Sequence, residues 1–255
     1  MRYQSTTGLD SDQIDELVDR IEEIDCGRKS GHGRPVVVDL YGQVVIALVL
    51  LRQNLNQMAV ADLFGISQPT VSRIYRTILP LLEQVTCLHA PDFAEAVQNR
   101  VVLVDGTDVP TGNRRDGREN YSGKRHRQGL NIQVGASLEG TLLGVSDPVP
   151  GCRHDRRAIT ETGWEDILGH GHWIADPGYL GTTAITPERK PKNGEFDPKT
   201  KDNNKLISGI RSAVERCIAH LKNWKILATG YRGRLAELPN VIRIVTKIEF
   251  YRLGW

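Results

Sequence analysis

The order of apolar and polar positions predicts helices first and then strands alternating with helices. Apolar residues recur at helical spacing over residues 9–25, which indicates an amphipathic helix. Asp39 to Arg52 is apolar on most sides, as in a helix buried between others. Apolar runs at Val101 to Val104, Leu130 to Ser137 and Thr141 to Val145 then predict three consecutive strands, with a hairpin turn at Glu139-Gly140.

The second half of the chain continues with mixed elements. A helix is predicted from His154-Asp155 to Leu168, a short strand from Trp173 to Ala175, and a loop from Pro187 to Lys205. Two amphipathic helices follow, at Ile207 to Trp224 and at Leu235 to Leu253. The pattern therefore predicts an α/β domain that follows a helical N-terminal region.

Residues 56–82 match the plan of a helix-turn-helix. Gly65-Ile66-Ser67 predicts a tight turn between a short helix and a second helix from Gln68 to Leu79, with the Ser67 hydroxyl as its cap. The sequence from Leu63 to Arg73 also resembles the helix-turn-helix of many DNA-binding proteins; the alternative is an ordinary helical hairpin. The polar side chains near the start of the second helix are the candidates for DNA contacts: Gln68, Thr70, Ser72 and Arg73.

Prolines punctuate the passage to the second domain. Pro80 and Pro91 are predicted to interrupt the helices there, which gives an N-terminal domain over 1–94 and a second domain over 95–255. The chain of 255 residues is long enough for one catalytic domain with a small appendage.

Composition narrows the class of protein. With 39% hydrophobic and 25% charged residues, the chain has the make-up of a soluble globular protein, and its longest apolar run, Val44 to Leu51, is too short to span a bilayer. The four cysteines form no CxxC pair, so no zinc or redox motif is indicated, and we expect them to fill the core. No signal pattern opens the chain, and we therefore expect an intracellular, cytoplasmic protein.

The formal net charge is only +2, so any affinity for polyanions must come from local clusters. The densest basic run is Thr111 to Arg127, where Tyr121 lies among six cations. It is either a solvated loop or a loop that contacts a phosphodiester backbone, and its candidates for DNA binding are Lys124, Arg125 and Arg127. The basic connector from Gly27 to Pro35 has the same two interpretations.

Asp105 is the centre of the candidate chemistry. It follows a buried apolar strand, and a desolvated carboxylate must be paired, hydrogen-bonded or bound to a cation. Asp176 ends the later strand in the same way, and Glu215 lies on the amphipathic helix between Arg211 and Lys222. On that helix the three charged side chains fall within about 40° of one another. Three converging carboxylates would repel each other unless a divalent metal neutralised them, so these residues are candidate metal ligands. The alternative interpretation of Glu215 is a surface i,i+4 ion pair with Arg211.

Two further acids compete with these three. Asp155 is read as the N-cap of its helix in preference to a ligand, and Asp108 lies just beyond the first strand. We rank both below Asp105, Asp176 and Glu215.

The chain resembles the DDE transposases of bacterial insertion sequences in the IS5 group, which are related to Harbinger-type nucleases. The resemblance covers nearly the whole chain: the helix-turn-helix, Val104-Asp-Gly-Thr107, Tyr121-Ser-Gly-Lys124 with Leu130-Asn-Ile-Gln133, Ala175-Asp-Pro-Gly-Tyr179, and Arg211-x3-Glu215-x6-Lys222. One departure is Ser208, where some relatives have a tyrosine. The spacings of 71 residues between Asp105 and Asp176, and of 39 between Asp176 and Glu215, suit the fold of that family.

The resemblance implies a ribonuclease-H-like catalytic domain, a mixed sheet flanked by helices, whose metal-binding triad is Asp105, Asp176 and Glu215. It also implies DNA contacts near the active site from Arg211 and Lys222. Two divalent ions, Mg²⁺ or alternatively Mn²⁺, would be held with Asp105 bridging both, and no small-molecule cofactor is needed. Water would cut the transposon end, and the resulting 3′-OH would attack target DNA.

The partners implied are double-stranded DNA, at the transposon ends and the target site, and a second copy of the chain on that DNA. Two alternatives stay open at this stage: a DNA-binding regulator without catalysis, and a metal-dependent nuclease that cuts without joining.

Overall fold

The computed structural model describes residues 4–24, 37–87, 90–115, 117–191 and 194–255. The basic connector from Gly27 to Pro35 lies outside the described residues. The chain divides into two compact units, one formed by residues 1–90 and 222–255 and the other by residues 91–221.

The first unit is helical. Its helices are α1 Gln4–Thr7, α2 Ser11–Ile24, α3 Leu40–Gln53, α4 Gln57–Phe64, α5 Gln68–Thr86 and, after the second unit, α10 Leu238–Leu253. All eight residues from Val44 to Leu51 in α3 are buried, because α1, α2 and α5 pack around this helix, as its apolar character predicted. The side chain of Asp39 accepts a hydrogen bond from the Gly42 N–H and so caps α3.

The predicted helix-turn-helix is confirmed in its plan and corrected in two details. Gly65 ends α4 with φ 65°, a left-handed conformation that glycine adopts without strain, and α5 begins at Gln68. Ser67 occupies the N-cap position, but its hydroxyl pairs with the hydroxyl of Thr70, 2.8 Å away, and not with the backbone. The helix also passes through Pro80 to Thr86, because its buried face continues on both sides of the proline.

The C-terminal helix packs with the N-terminal helices. In α10 the predicted apolar stripe is buried, and α10 lies against α5 within the first unit. The predicted division at residues 94 and 95 lies near the change of unit at residue 91, but the two divisions differ at the C-terminus, since residues 222–255 belong to the first compact unit.

The second unit is a mixed sheet with helices. Its elements are α6 Phe93–Ala96, β1 Val101–Pro110, β2 Tyr121–Ser122, β3 Arg127–Ala136, β4 Leu142–Val145, β5 Val149–Pro150, α7 Asp155–Glu161, α8 Trp164–Leu168, β6 His172–Ile174 and α9 Pro198–Leu221. Strand β1 pairs antiparallel with β3 and parallel with β6, and β3 pairs antiparallel with β2, β4 and β5 along its length. Helices α7 and α9 contact the sheet. The unit is therefore α/β with a mixed sheet, as predicted.

Three predicted boundaries were wrong. Strand β1 does not end before Asp105 but continues to Pro110, because β3 pairs with it residue by residue over this stretch. The helix predicted from His154 to Leu168 is two helices, since Gly163 between them has φ 73°. Helix α9 begins at Pro198, inside the predicted loop. Its buried residues all lie in its second half, at Ala213, Val214, Cys217 and Leu221.

Composition led to expectations about the cysteines and about membrane-spanning segments. Cys87 and Cys152 are exposed and only Cys217 of the described cysteines is buried, so the expectation that cysteines fill the core was wrong for two of them. Among the described helices, none combines the length and the apolar character needed to cross a membrane.

Candidate active site

The parallel pairing of β1 with β6 brings Asp105 and Asp176 together. Leu103 lies opposite Ile174 in this register; Asp105 is two residues further along β1, and Asp176 is two residues beyond Ile174, just after the end of β6. Neighbouring strands are about 4.8 Å apart, so the two aspartates stand side by side at the end of β6. The pattern of an apolar strand followed by an aspartate, which occurs twice in the sequence, therefore corresponds to two aspartates that lie next to each other in the structure.

Asp105 is a carboxylate with little compensation for its burial. Its side chain is 20% exposed, and Arg211 Nη2 approaches its Oδ2 at 3.5 Å. The pKa of Asp105 is raised to about 6, chiefly by burial and also by the negative charges of Asp176 and Asp155, although Arg211 and the Gly106 N–H act in the opposite direction. This site thus favours an added cation, which would stabilise the charged carboxylate.

Asp176 shapes the turn that follows β6. Its Oδ1 accepts a hydrogen bond of 2.8 Å from the Gly178 N–H and so caps the short 3₁₀ helix Pro177–Tyr179. The turn directs Tyr179 into the core, where its side chain is fully buried.

Helix α9 brings Arg211 to Asp105 and leaves Glu215 exposed. Arg211 and Glu215 are one helical turn apart, so they lie on the same side of α9. Among the described residues, the Glu215 carboxylate makes no hydrogen bond or ion pair, so the alternative interpretation of Glu215, a surface ion pair with Arg211, is not seen. The triad with Glu215 therefore stays a prediction. Lys222 directly follows α9 and is half-buried.

Asp155 lies on the other face of the sheet. It is the first residue of α7, and His154 occupies the N-cap position without a side-chain cap, so the interpretation of Asp155 as an N-cap was wrong. Its carboxylate fills the space that a Cβ at Gly106 would need. Since successive residues of a strand point to opposite faces, Asp155 and Arg211 approach β1 from opposite sides.

Asp108 is neutralised by the basic run. Its carboxylate is 2.6 Å from Arg127 Nη2 and 3.2 Å from Arg125 Nε, and its side chain is 9% exposed. The two arginines also border a cavity of about 420 Å³, together with Lys124, whose side chain is exposed. The three cations predicted from the basic run, Lys124, Arg125 and Arg127, thus lie around one cavity, which Asp155 and Gly178 border as well.

Two cations at this cavity were missed by sequence reasoning. Arg153 and Arg189 border it; Arg153 pairs with Glu161 at 3.2 Å, and Arg189 donates to the Pro177 carbonyl at 3.0 Å. They are isolated in the sequence from the basic run at residues 111–127, so no local pattern marked them.

The polar side chains at the start of α5 have local partners. Gln68 donates to Gln57 on α4 at 2.7 Å, and Arg76 binds the backbone and hydroxyl oxygens of Ser72. Thr70 is half-buried beside Ser67, whereas Arg73 is exposed. Arg73 is therefore the predicted contact best placed to reach a phosphate.

The oxygen ligands at Asp105 and Asp176 fit a hard divalent cation by their chemistry. Mg²⁺ is commonly bound through one or two carboxylates together with substrate phosphates. In the described part of the chain, no group of three or more acidic, histidine or cysteine side chains is close enough to hold an ion alone. The fit consequently rests on the two aspartates and on the incomplete neutralisation of Asp105.

A helix-turn-helix and a pair of adjacent aspartates on a mixed sheet define the class of an enzyme that acts on DNA, and comparison with known proteins supports this class. A family model described as DDE superfamily endonuclease matches residues 104–248, more than half of the chain. A second model, the helix-turn-helix of DDE superfamily endonuclease, matches residues 38–88. The chain belongs to the DDE superfamily endonucleases, and the prediction of a DNA-cleaving enzyme is confirmed.

Two relatives give a similar picture. A putative transposase for insertion sequence element IS112 from Streptomyces albus G is 33% identical over 225 residues, which are 87% of this chain and 83% of the relative. A probable transposase for insertion sequence element IS702 from Microchaete diplosiphon is 24% identical over 265 residues, covering 99% and 95% of the two chains. No solved structure gives a significant match.

Proposed function

We propose that the chain is the transposase of an insertion sequence of the IS5 group, with a ribonuclease-H-like catalytic unit. It would bind the ends of its element as double-stranded DNA, cut them and join them to a target site in the bacterial nucleoid. The observation that carries the proposal is the adjacent pair Asp105 and Asp176, because Asp105 is largely buried and, among the described residues, Arg211 at 3.5 Å is the one cation that pairs with it.

The proposed metal-binding residues are Asp105, Asp176 and Glu215, with Mg²⁺ or Mn²⁺ as the ion. Bound divalent ions supply charge neutralisation at the scissile phosphate and favour a deprotonated attacking hydroxyl. For Glu215, support comes from its position one turn from Arg211, which already contacts Asp105.

The protein's own groups would orient the substrate. Lys124, Arg125 and Arg127 at the cavity would contact the DNA backbone, and Arg211 would stabilise negative charge next to Asp105. In-line attack by water on the phosphodiester at the element end would release a 3′-OH, and that hydroxyl would attack the target phosphodiester in the same way. Neither Tyr121 nor Tyr179 is needed as a nucleophile.

The helix-turn-helix would select the element ends. Arg73 is exposed near the start of α5, where a recognition helix contacts DNA, while Gln68, Thr70 and Ser72 lie beside it. Since two ends must be brought together, we propose a homodimer on DNA. Lys222, which directly follows α9, is proposed as a further cation that contacts the DNA.

The experiment that tests this function is cleavage of the element ends with Mg²⁺ by the wild type and by Glu215→Gln. We expect nicks at the ends in the wild type, and none in the variant, which should still bind the same DNA. Glu195→Gln is the matched control, because Glu195 is an exposed glutamate outside the site.

Specific binding without cleavage in the wild type would support the alternative function of a DNA-binding regulator without catalysis. Cleavage without any strand-transfer product would support the plain nuclease.

A further inference from the structure

A continuous hydrogen-bonded chain of side chains runs beneath the two aspartates. The Tyr179 hydroxyl donates to Gln133 Oε1, Gln133 Nε2 donates to Asn131 Oδ1 at 3.1 Å, and Asn131 Nδ2 donates to Asp155 Oδ1 at 3.0 Å. We call these four residues the polar relay. It joins the turn after Asp176, strand β3 and the start of α7.

The relay is costly to bury, so its presence in the core requires an explanation. Gln133 and Tyr179 are fully buried and Asn131 is 9% exposed. Buried polar groups stabilise a fold only when each has its partner, and apolar residues of similar volume would generally stabilise a core as well. The relay instead fixes one arrangement of the elements that it joins.

The direction of the relay is set by its last member. A hydroxyl donates to an amide oxygen, and each amide then donates onward, so the series ends on a group that only accepts. An ionised carboxylate is such a group, whereas an asparagine at the same place would have donors as well as an acceptor. Asn131 Nδ2 also donates to the Arg153 carbonyl at 3.1 Å, so the Asp155 carboxylate and this carbonyl together orient the amides of Asn131 and Gln133.

Asp155 also contacts the two segments that carry the aspartates. Its Oδ1 fills the space beside Gly106, the residue after Asp105, where a Cβ could not be accommodated. Its Oδ2 is 3.6 Å from the position that a Cβ would take at Gly178, and Asp176 Oδ1 is 2.7 Å from the same point. The Asp155 carboxylate thus lies beside both segments, but on the face of β1 opposite to Arg211.

We propose that Asp155 is a positioning residue of the cleavage site, which holds the turn after Asp176 against β1 through the polar relay. The inference rests on the proposed function, because it assigns to Asp155 the support of Asp105 and Asp176 in metal-dependent cleavage. Misplacing a ligand should affect Mg²⁺ more than Mn²⁺, since Mg²⁺ demands a nearly ideal octahedral geometry.

The test uses Asp155→Asn, which removes the charge at nearly constant volume, and Tyr179→Phe, which removes only the first donor of the relay. Cleavage of the element ends is measured with Mg²⁺ and with Mn²⁺, and Mn²⁺ binding to the full chain without DNA is measured by electron paramagnetic resonance. Asp166→Asn on α8 is the control, because Asp166 is exposed and loses the same charge.

We expect both relay variants to lose about 10- to 100-fold in Mg²⁺-dependent cleavage, as is usual when a group that orients a metal ligand is removed. The ratio of Mn²⁺ to Mg²⁺ activity should rise, Mn²⁺ binding should weaken, and Asp166→Asn should behave as the wild type. General destabilisation would lower the activity with both ions equally and leave this ratio unchanged.

An unchanged ratio together with unchanged Mn²⁺ affinity in both variants would overturn the role of Asp155, even where cleavage by the wild type upholds the proposed function. If the wild type cleaves with neither ion, the proposed function fails. The Mn²⁺ affinity of Asp155→Asn then decides alone whether Asp155 supports an ion site.

Discussion

Asp105 and Asp108 lie three residues apart on the same strand, and their surroundings differ sharply. Arg127 and Arg125 both approach the Asp108 carboxylate, at 2.6 Å and 3.2 Å. Asp105 has one arginine, Arg211, at 3.5 Å, and two acids nearby that raise its pKa further. Within one strand, therefore, one buried carboxylate is neutralised by the protein and the other is not.

The difference separates a structural ion pair from a site for a ligand. A carboxylate with two close guanidinium partners has its charge balanced and its oxygens occupied, and removing its partners would strongly destabilise the fold. A carboxylate that is desolvated, repelled by its neighbours and weakly paired is the kind of group that a bound cation stabilises. Burial and acidity alone do not separate these two cases, because both aspartates have them.

The largest expected effect is the loss of cleavage in Asp105→Asn. Metal-dependent stabilisation of the transition state amounts to several kcal/mol, so we expect cleavage of the element ends to fall by at least about 1000-fold. Asp108→Asn should fall by no more than about tenfold, since the Asp108 carboxylate only holds the basic loop. Single-turnover cleavage assays measure both, and equal losses would show that the contrast between the two aspartates has no catalytic meaning.

Arg211→Ala should have an intermediate effect on the same reaction. Removing this cation leaves Asp105 less neutralised, so Mn²⁺ should bind at least as tightly as in the wild type, while cleavage falls about 10- to 100-fold because the arginine no longer stabilises the phosphate. Arg216→Ala on the same helix is the control, since Arg216 is exposed and donates to the Ser212 hydroxyl, away from Asp105. Weaker Mn²⁺ binding in Arg211→Ala would instead indicate that Arg211 organises the acids.

The smallest expected effect concerns stability and comes from Gly106→Ala. The new methyl group would collide with the Asp155 carboxylate, which has to move, at a cost of about 1–3 kcal/mol in unfolding free energy. Gly123→Ala is the control, because nothing lies within 4 Å of the position of its Cβ. Urea unfolding monitored by circular dichroism compares the two variants, and equal stabilities would argue against the close approach of Asp155 to β1.

Periodicity predicted most of the elements, because burial of apolar faces decides both the pattern and the packing. The eight buried residues of α3 and the stripe of α10 are examples. The pattern did not predict how far two of the elements extend. Strand β1 continues through Asp105 because it pairs with β3. Helix α5 continues through Pro80 because apolar residues beyond the proline are also buried. Those contacts are between segments distant in the sequence.

The candidate site was predicted only in part, because some of its contacts are also between residues distant in the sequence. The pattern of an apolar strand followed by an aspartate, repeated at Asp105 and Asp176, could be read locally, and the parallel register joins the two. The role proposed for Asp155 could not be predicted in this way, because the residues that it contacts, Gly106 and Asn131, lie on other elements. A usable signal was nevertheless present: Asn131 and Gln133 alternate with apolar residues on a buried strand, which marks two amides on one face.

The most direct test of the central claim is the binding of Mn²⁺ to the wild type, Asp105→Asn and Asp108→Asn, measured by electron paramagnetic resonance on the full chain. If Asp105 is the incompletely neutralised carboxylate of an ion site, Mn²⁺ binding is lost in Asp105→Asn and kept in Asp108→Asn. Retention of the wild-type affinity in Asp105→Asn, or its loss only in Asp108→Asn, would contradict the account.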